Sequence, residues 1–192
     1  MLAEEILEEM ESDLDLRHLT PEEYIEAEKH AEVRHEYFDG TIYAMSGASE
    51  EHELLSMQLS FRLMQHLQGK PCRVYKDGMK VKLKVKGKII FYYPDVMVVC
   101  DPSDKNSYFR VNPKLIIEVL SRDKGKDLVE KLEGYKTVPA LEEYLVFSQN
   151  PQRPEVNIFR RCADWEPEVL TDGEFTLQSV GLTLKLAELY AS

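Results

Sequence analysis

Two carboxylates stand inside strands that have almost nothing else polar in them. The first is Asp95, in Phe91-Tyr92-Tyr93-Pro94-Asp95-Val96, ahead of an apolar run that continues to Cys100. The second is Glu118, in Leu115-Ile116-Ile117-Glu118-Val119-Leu120. Burying a carboxylate without a metal, a proton or a cationic partner costs more than packing gains. Any fold of this chain must therefore bring these strands to a place where their charge is compensated. Side-chain direction alternates along a strand, so Glu118 shares a face with Ile116 and Leu120. If the two strands are neighbours, Asp95 and Glu118 converge. Hard oxygen ligands of this kind suit Mg²⁺ or Mn²⁺. Such an ion polarises a phosphodiester and acidifies water, and a nearby lysine can orient or deprotonate that water.

The lysine candidates follow at once, on a polar stretch that holds Lys124, Lys126 and Lys131. Asp127, Lys131 and Tyr135 recur at a spacing of four and share one helix face. Spacing alone favours a surface ion pair between Asp127 and Lys131. The position of this helix, directly after the Glu118 strand, is what favours a site role.

The rest of the chain reads as an α/β (α+β) protein. Residues 2–12 are an acidic, helix-forming stretch with Leu2, Ile6, Leu7 and Met10 on one stripe. Thr20-Pro21-Glu22-Glu23 starts a helix that should run to about Ala31. Asp39-Gly40 closes a hairpin over residues 36–45. A helix from about Glu50 to Gln68 carries Leu54, Leu55, Met57, Leu59, Phe61, Leu63, Met64 and Leu67, a face broad enough for a central packed helix. Strands follow at 72–75, at 79–85 and from Ile89 through Tyr93 on to Cys100. Lys80, Lys82, Lys84, Lys86 and Lys88 alternate there, as on the solvent face of an antiparallel strand. The all-apolar strand 115–120 suits the interior of a sheet. Residues 142–147 form another strand, and 155–178 a small β-meander with a turn at Asp172-Gly173. The expected division is an N-terminal extension over residues 1–17 and a single domain over 18–192.

The formal net charge of -11 argues against a protein that coats nucleic acid tightly and non-specifically with lysine and arginine. It leaves room for a metal-dependent nuclease, whose site is itself acidic. Cys72, Cys100 and Cys162 have neither zinc-ligand nor redox spacing, and their odd number reads as free thiols in a reducing cytoplasm. There is no secretory signal pattern and no run long enough to cross a bilayer.

The ordered set Glu36, His52, Tyr93-Pro94-Asp95-Val96, Ile117-Glu118-Val119-Leu120-Ser121, Asp127, Lys131, Tyr135 and Glu143-Tyr144 resembles the Uma-type family of restriction-endonuclease-like proteins. That family belongs to the PD-(D/E)XK nuclease superfamily. The likeness runs from Leu19 to Tyr190 and includes Glu36-Tyr37-Phe38-Asp39-Gly40. It implies a restriction-endonuclease-like central mixed β-sheet flanked by helices. It also implies a Mg²⁺-dependent endonuclease acting on DNA, with Asp95, Glu118 and the Val119 carbonyl on the metal and Glu36 as an additional acidic residue. The superfamily places its lysine two residues after the glutamate, where this chain has Leu120; Lys131 is the natural substitute. His52, Asp127 and Tyr135 would support the site, with His52 facing Glu36 or a phosphate. The expected partners are DNA and a second copy of the chain, joined through the N-terminal helix or an edge strand. Leu120 and the acidic charge also motivate an alternative: a nuclease-fold module that binds nucleic acid or regulates, with little or no turnover. A purely structural metal site is a third reading.

Overall fold

The computed structural model describes residues 18–120 and 131–191. The expected N-terminal helix, Lys124, Lys126 and Asp127 lie outside them. The described chain opens with α1 (Pro21–Glu28). Its start follows from sequence: Thr20 Oγ1 accepts from the Glu23 amide, and the Glu23 carboxylate accepts from the Thr20 amide at 2.8 Å. Two donors that a helix start leaves orphaned are thereby satisfied. β1 (His35–Phe38) and β2 (Thr41–Ala44) form the expected hairpin. Asp39 and Gly40 supply its positive φ values of 47° and 104°, which short hairpin turns require.

Ser49 caps α2 (Glu50–His66). The strands β3 (Arg73–Lys76), β4 (Lys80–Val85), β5 (Lys88–Tyr92) and β6 (Val96–Val99) come next, then β7 (Phe109–Arg110) and β8 (Pro113–Leu120). Residues 131–135 are helical and are called α3. After them come β9 (Glu143–Ser148), β10 (Val156–Arg160), β11 (Pro167–Leu170), β12 (Glu174–Leu177), β13 (Leu182–Lys185) and α4 (Leu186–Leu189).

The central sheet has six strands in the order β11-β10-β9-β8-β6-β3. It is mixed, because β8 and β9 run parallel while their other neighbours are antiparallel. α2 covers one face: Leu55, Leu59 and Leu63 pack against Val96, Val98, Leu115 and Ile117. α3 covers the other, where Leu132 and Tyr135 meet Met97, Ile116 and Val146. A five-stranded sheet, β2-β1-β5-β4-β7, lies beside it, and Tyr24 of α1 packs there on Tyr37 and Phe91.

Several expectations are corrected. The stretch from Ile89 to Cys100 is not one strand. β5 belongs to the smaller sheet and β6 to the central one, and the chain crosses at Tyr93-Pro94-Asp95, where proline has no N–H to continue a ladder. The C-terminal meander divides: β10 and β11 extend the central sheet, whereas β12 turns away and pairs with β13. Glu143 holds that hairpin in place. It is fully buried and accepts from Arg160 Nε at 2.9 Å and from the Ser179 amide at 2.7 Å. Lys80 is not on a solvent face; it is buried, 4.8 Å from the centre of the Tyr93 ring. Among the described residues only one side of α2 is packed, since Leu54, Met57, Phe61 and Met64 are exposed.

Cys72 and Cys100 are not free thiols but a disulfide. They flank the Arg73–Val99 pair of the antiparallel β3–β6 ladder, so register brings together residues 28 apart in sequence. Cys162 is free and exposed. Closing a loop of that length restricts the unfolded chain by about 3.5 kcal/mol. Urea melts of the Cys72→Ser, Cys100→Ser variant should show a loss of that order.

Candidate active site

The crossover between the sheets sets the position of Asp95. β6 pairs Val96 with Ile117, and one further step of that antiparallel register brings Asp95 opposite Glu118. Asp95 Oδ2 accepts from the Val119 amide at 2.7 Å, which locks the end of one strand to the other. Parity does the rest. Ile116 faces the second core cluster, with Leu120 packed against it, and Glu118 points the same way between them.

Glu118 is only 7% exposed. Its Oε1 accepts from the Tyr135 hydroxyl at 2.7 Å and lies 3.4 Å from Lys131 Nζ. Lys131 also stands 2.9 Å from Glu36 Oε1 and 5.1 Å from the centre of the Tyr92 ring. The ammonium thus arrives from α3 rather than from β8, where Leu120 is packed against apolar neighbours. Gly134 lets α3 lie this close, because a Cβ there would come within 3.2 Å of Leu83 Cδ1.

His52 lies in the first turn of α2. Its Nε2 is 3.2 Å from Asp95 Oδ2, so it faces Asp95 rather than Glu36, one of the partners expected from sequence. Its Nδ1 is buried and has no hydrogen-bond partner among the described residues. Glu36, His52, Asp95, Glu118, Val119 and Lys131 all border one cavity of about 840 Å³. Tyr135 stands behind Glu118. Asp127 lies outside the described residues.

Burial pushes the Glu118 carboxyl up to about 7; Lys131 works against this and Asp95 adds to it. Burial disfavours the Lys131 cation, but Glu118 and Glu36 outweigh it and its pKa is raised. His52 is raised for the same kind of reason, as Asp95 outweighs desolvation. For Glu118 the folded value lies above the unfolded one. Its contribution to stability is therefore present below about pH 4.5 and lost as pH rises through about 7. In EDTA, the wild type should lose stability relative to Glu118→Gln across that window, by on the order of 3 kcal/mol. Thermal melts of both proteins from pH 4 to 8 check this; parallel curves would contradict it.

Among the described residues, no group of three or more His, Cys, Asp or Glu side chains forms a cation cage. A Mg²⁺ site does not need one, since one or two carboxylates, water and substrate phosphate suffice. Asp95 and Glu118 would supply the carboxylates. Among the described residues the one near partner of the buried Glu36 Oε1 is the Lys131 ammonium at 2.9 Å. The donor set therefore fits a hard divalent cation. Among the described residues the cavity wall carries Glu36, Glu53, Asp77, Asp95 and Glu118 against Arg34 and Lys131.

Sequence reasoning missed some of this wall. Arg34 lines the cavity and donates to the Asp77 carbonyl at 2.8 Å. Tyr43 stands on the same wall, 57% exposed. Glu28 accepts from the Tyr93 hydroxyl and the His35 amide, both at 2.8 Å, and so braces the crossover from behind. No periodicity marks these positions; only the hairpin's place beside β5 brings them near.

The family model Uma2, described as "Putative restriction endonuclease", matches residues 21–187. An uncharacterised protein of Synechocystis, slr1290, is 33% identical over 177 residues, which is 90% of this chain and 91% of that protein. A second uncharacterised Synechocystis protein, sll1609, is 33% identical over 141 residues, or 71% of this chain and 78% of that one. The crystal structure of a putative nuclease belonging to DUF820 from Anabaena variabilis superposes with a TM-score of 0.70 at 18% identity. The match covers 90% of this chain and 98% of that one.

Proposed function

The chain belongs to the Uma2 family of putative restriction endonucleases, and on that premise we propose that it is a Mg²⁺-dependent endonuclease that hydrolyses DNA phosphodiester bonds. The observation that carries this is the placement of Lys131 Nζ, 3.4 Å from Glu118 Oε1 and 2.9 Å from Glu36 Oε1. The ammonium reaches Glu118 although Leu120 holds the superfamily's lysine position.

Asp95 and Glu118 would hold the ion, with the Val119 carbonyl as a third donor. When bound, the ion supplies Lewis-acid stabilisation of phosphoryl charge and an acidified water. Lys131 holds a positive charge where a phosphate oxygen would gain negative charge. Glu36 and Tyr135 fix that lysine and Glu118. The Val119 amide and His52 fix the orientation of Asp95. Among the described residues the wall has more negative than positive side chains, so on this reading divalent cation would help DNA entry by lowering the repulsion. On this reading the protein acts as a homodimer, since each copy carries one such centre.

Leu120 and that negative wall favour the second reading, a nuclease-fold module that binds nucleic acid with little or no turnover. Incubation of supercoiled plasmid with the protein separates the two. The nuclease reading expects nicked and linear DNA with Mg²⁺ or Mn²⁺ and none with EDTA. Intact plasmid under both metals, with metal binding retained, supports the second reading instead.

A further inference from the structure

The outer face of α2 has no partner among the described residues. Leu54, Met57, Phe61 and Met64 point outward there, with Phe61 and Met64 each 60% exposed. The inward residues Leu55, Leu59 and Leu63 belong to the core, and among the described residues the outward four lie outside it. Such a row on one helix is a contact surface rather than scattered exposure.

Its spacing selects the occupant. The intervals are three, four and three residues, the alternation of a coiled-coil seam. The series reads the same in both directions about Leu59. A two-fold axis at that point sets Leu54 against Met64 and Met57 against Phe61 in an antiparallel pair, the self-complementary patch that closed dimers use. Charge agrees. Glu50, Glu51 and Glu53 lie in the first turn of α2, with Glu53 already 3.0 Å from Lys76, whereas the positive charges toward the other end are Arg62, 3.5 Å from Glu188, and Lys70, just past the last turn. Antiparallel pairing brings each acidic end to a basic end, while parallel pairing would bring like ends together.

We propose that α2 is the homodimer interface of this protein, with two copies packing their α2 helices antiparallel about Leu59. This rests on the chain being a homodimer, not on its being a nuclease, so the test below reads association and not cleavage. The same helix carries His52 at its inner start, seven residues from the axis. At 1.5 Å per residue, pairing sets the two His52 positions about 21 Å apart along the helices.

Sedimentation velocity of the full chain tests this. The expected species has twice the 22.3 kDa chain mass. Met57→Glu with Phe61→Glu should weaken association at least a hundredfold, and circular dichroism should show an unchanged fold because both positions are exposed. Gln65→Lys adds charge to the basic end and should tighten association severalfold. A monomeric wild type at every soluble concentration overturns the proposal. So does a dimer that survives the double variant, or one that Gln65→Lys leaves unchanged or weakens. A monomer in which Phe61→Cys resists maleimide labelling, measured above the Cys162 background, places another part of the chain on the stripe and also overturns it.

Discussion

Asp95→Asn is expected to lower metal-dependent DNA cleavage by about a thousandfold while leaving the melting temperature within a few degrees of wild type. The asparagine side chain keeps an oxygen to accept from the Val119 amide, now at 2.7 Å, so the lock between β6 and β8 survives. What is lost is the carboxylate charge that a hard divalent ion requires. His52, 3.2 Å away, also loses the anion that raises its pKa. Titration calorimetry with Mn²⁺ should show weaker binding in parallel with the lost activity. Full activity in this variant would remove Asp95 from the mechanism.

Lys131→Met has the second large effect, and it acts on stability as well as turnover. Lys131 lies against both Glu36 and Glu118. Its removal leaves two carboxylates with little access to solvent and no cation. Breaking a buried charge pair from one side costs about 3 to 5 kcal/mol, and the 20% exposure of this side chain places the expectation near the lower figure. The loss should be largest in EDTA and should shrink as Mg²⁺ is added, because bound cation replaces the missing charge. Cleavage should fall by about two to three orders of magnitude even at saturating metal. Lys131→Arg separates charge from geometry: stability should largely return, and activity should return less, since the guanidinium is a planar fork rather than a point charge. A Lys131→Met protein with wild-type stability in EDTA would show that the contact with Glu36 and Glu118 is weak in solution.

Much of this was legible in the chain. Asp95 and Glu118 announced themselves because a carboxylate among Val, Ile and Leu must be compensated. Strand parity then placed Glu118 on the face of Ile116 and Leu120, as the two cores show. Thr20-Pro21-Glu22-Glu23 and Asp39-Gly40 were equally readable, since caps and tight turns are local chemistry. What could not be read depends on contacts distant in sequence. Pro94 ends a strand, but which sheet receives the chain after it depends on β3 and β8. The Cys72–Cys100 pairing follows from the β3–β6 register, which no spacing rule contains. His52 faces Asp95 because α2 packs across β6 and β8. α2 was the most misleading element: its apolar residues extend around more than one face, and periodicity cannot say which face this chain covers itself.

The central claim is that Asp95 and Glu118 together hold a divalent cation. Its most direct test is a Mn²⁺ soak of crystals of the wild-type protein, with an anomalous difference map. The account predicts a peak about 2.0 to 2.3 Å from a carboxylate oxygen of each residue, absent from Asp95→Asn crystals. A map with no peak between them, at a Mn²⁺ concentration that supports cleavage, would contradict it.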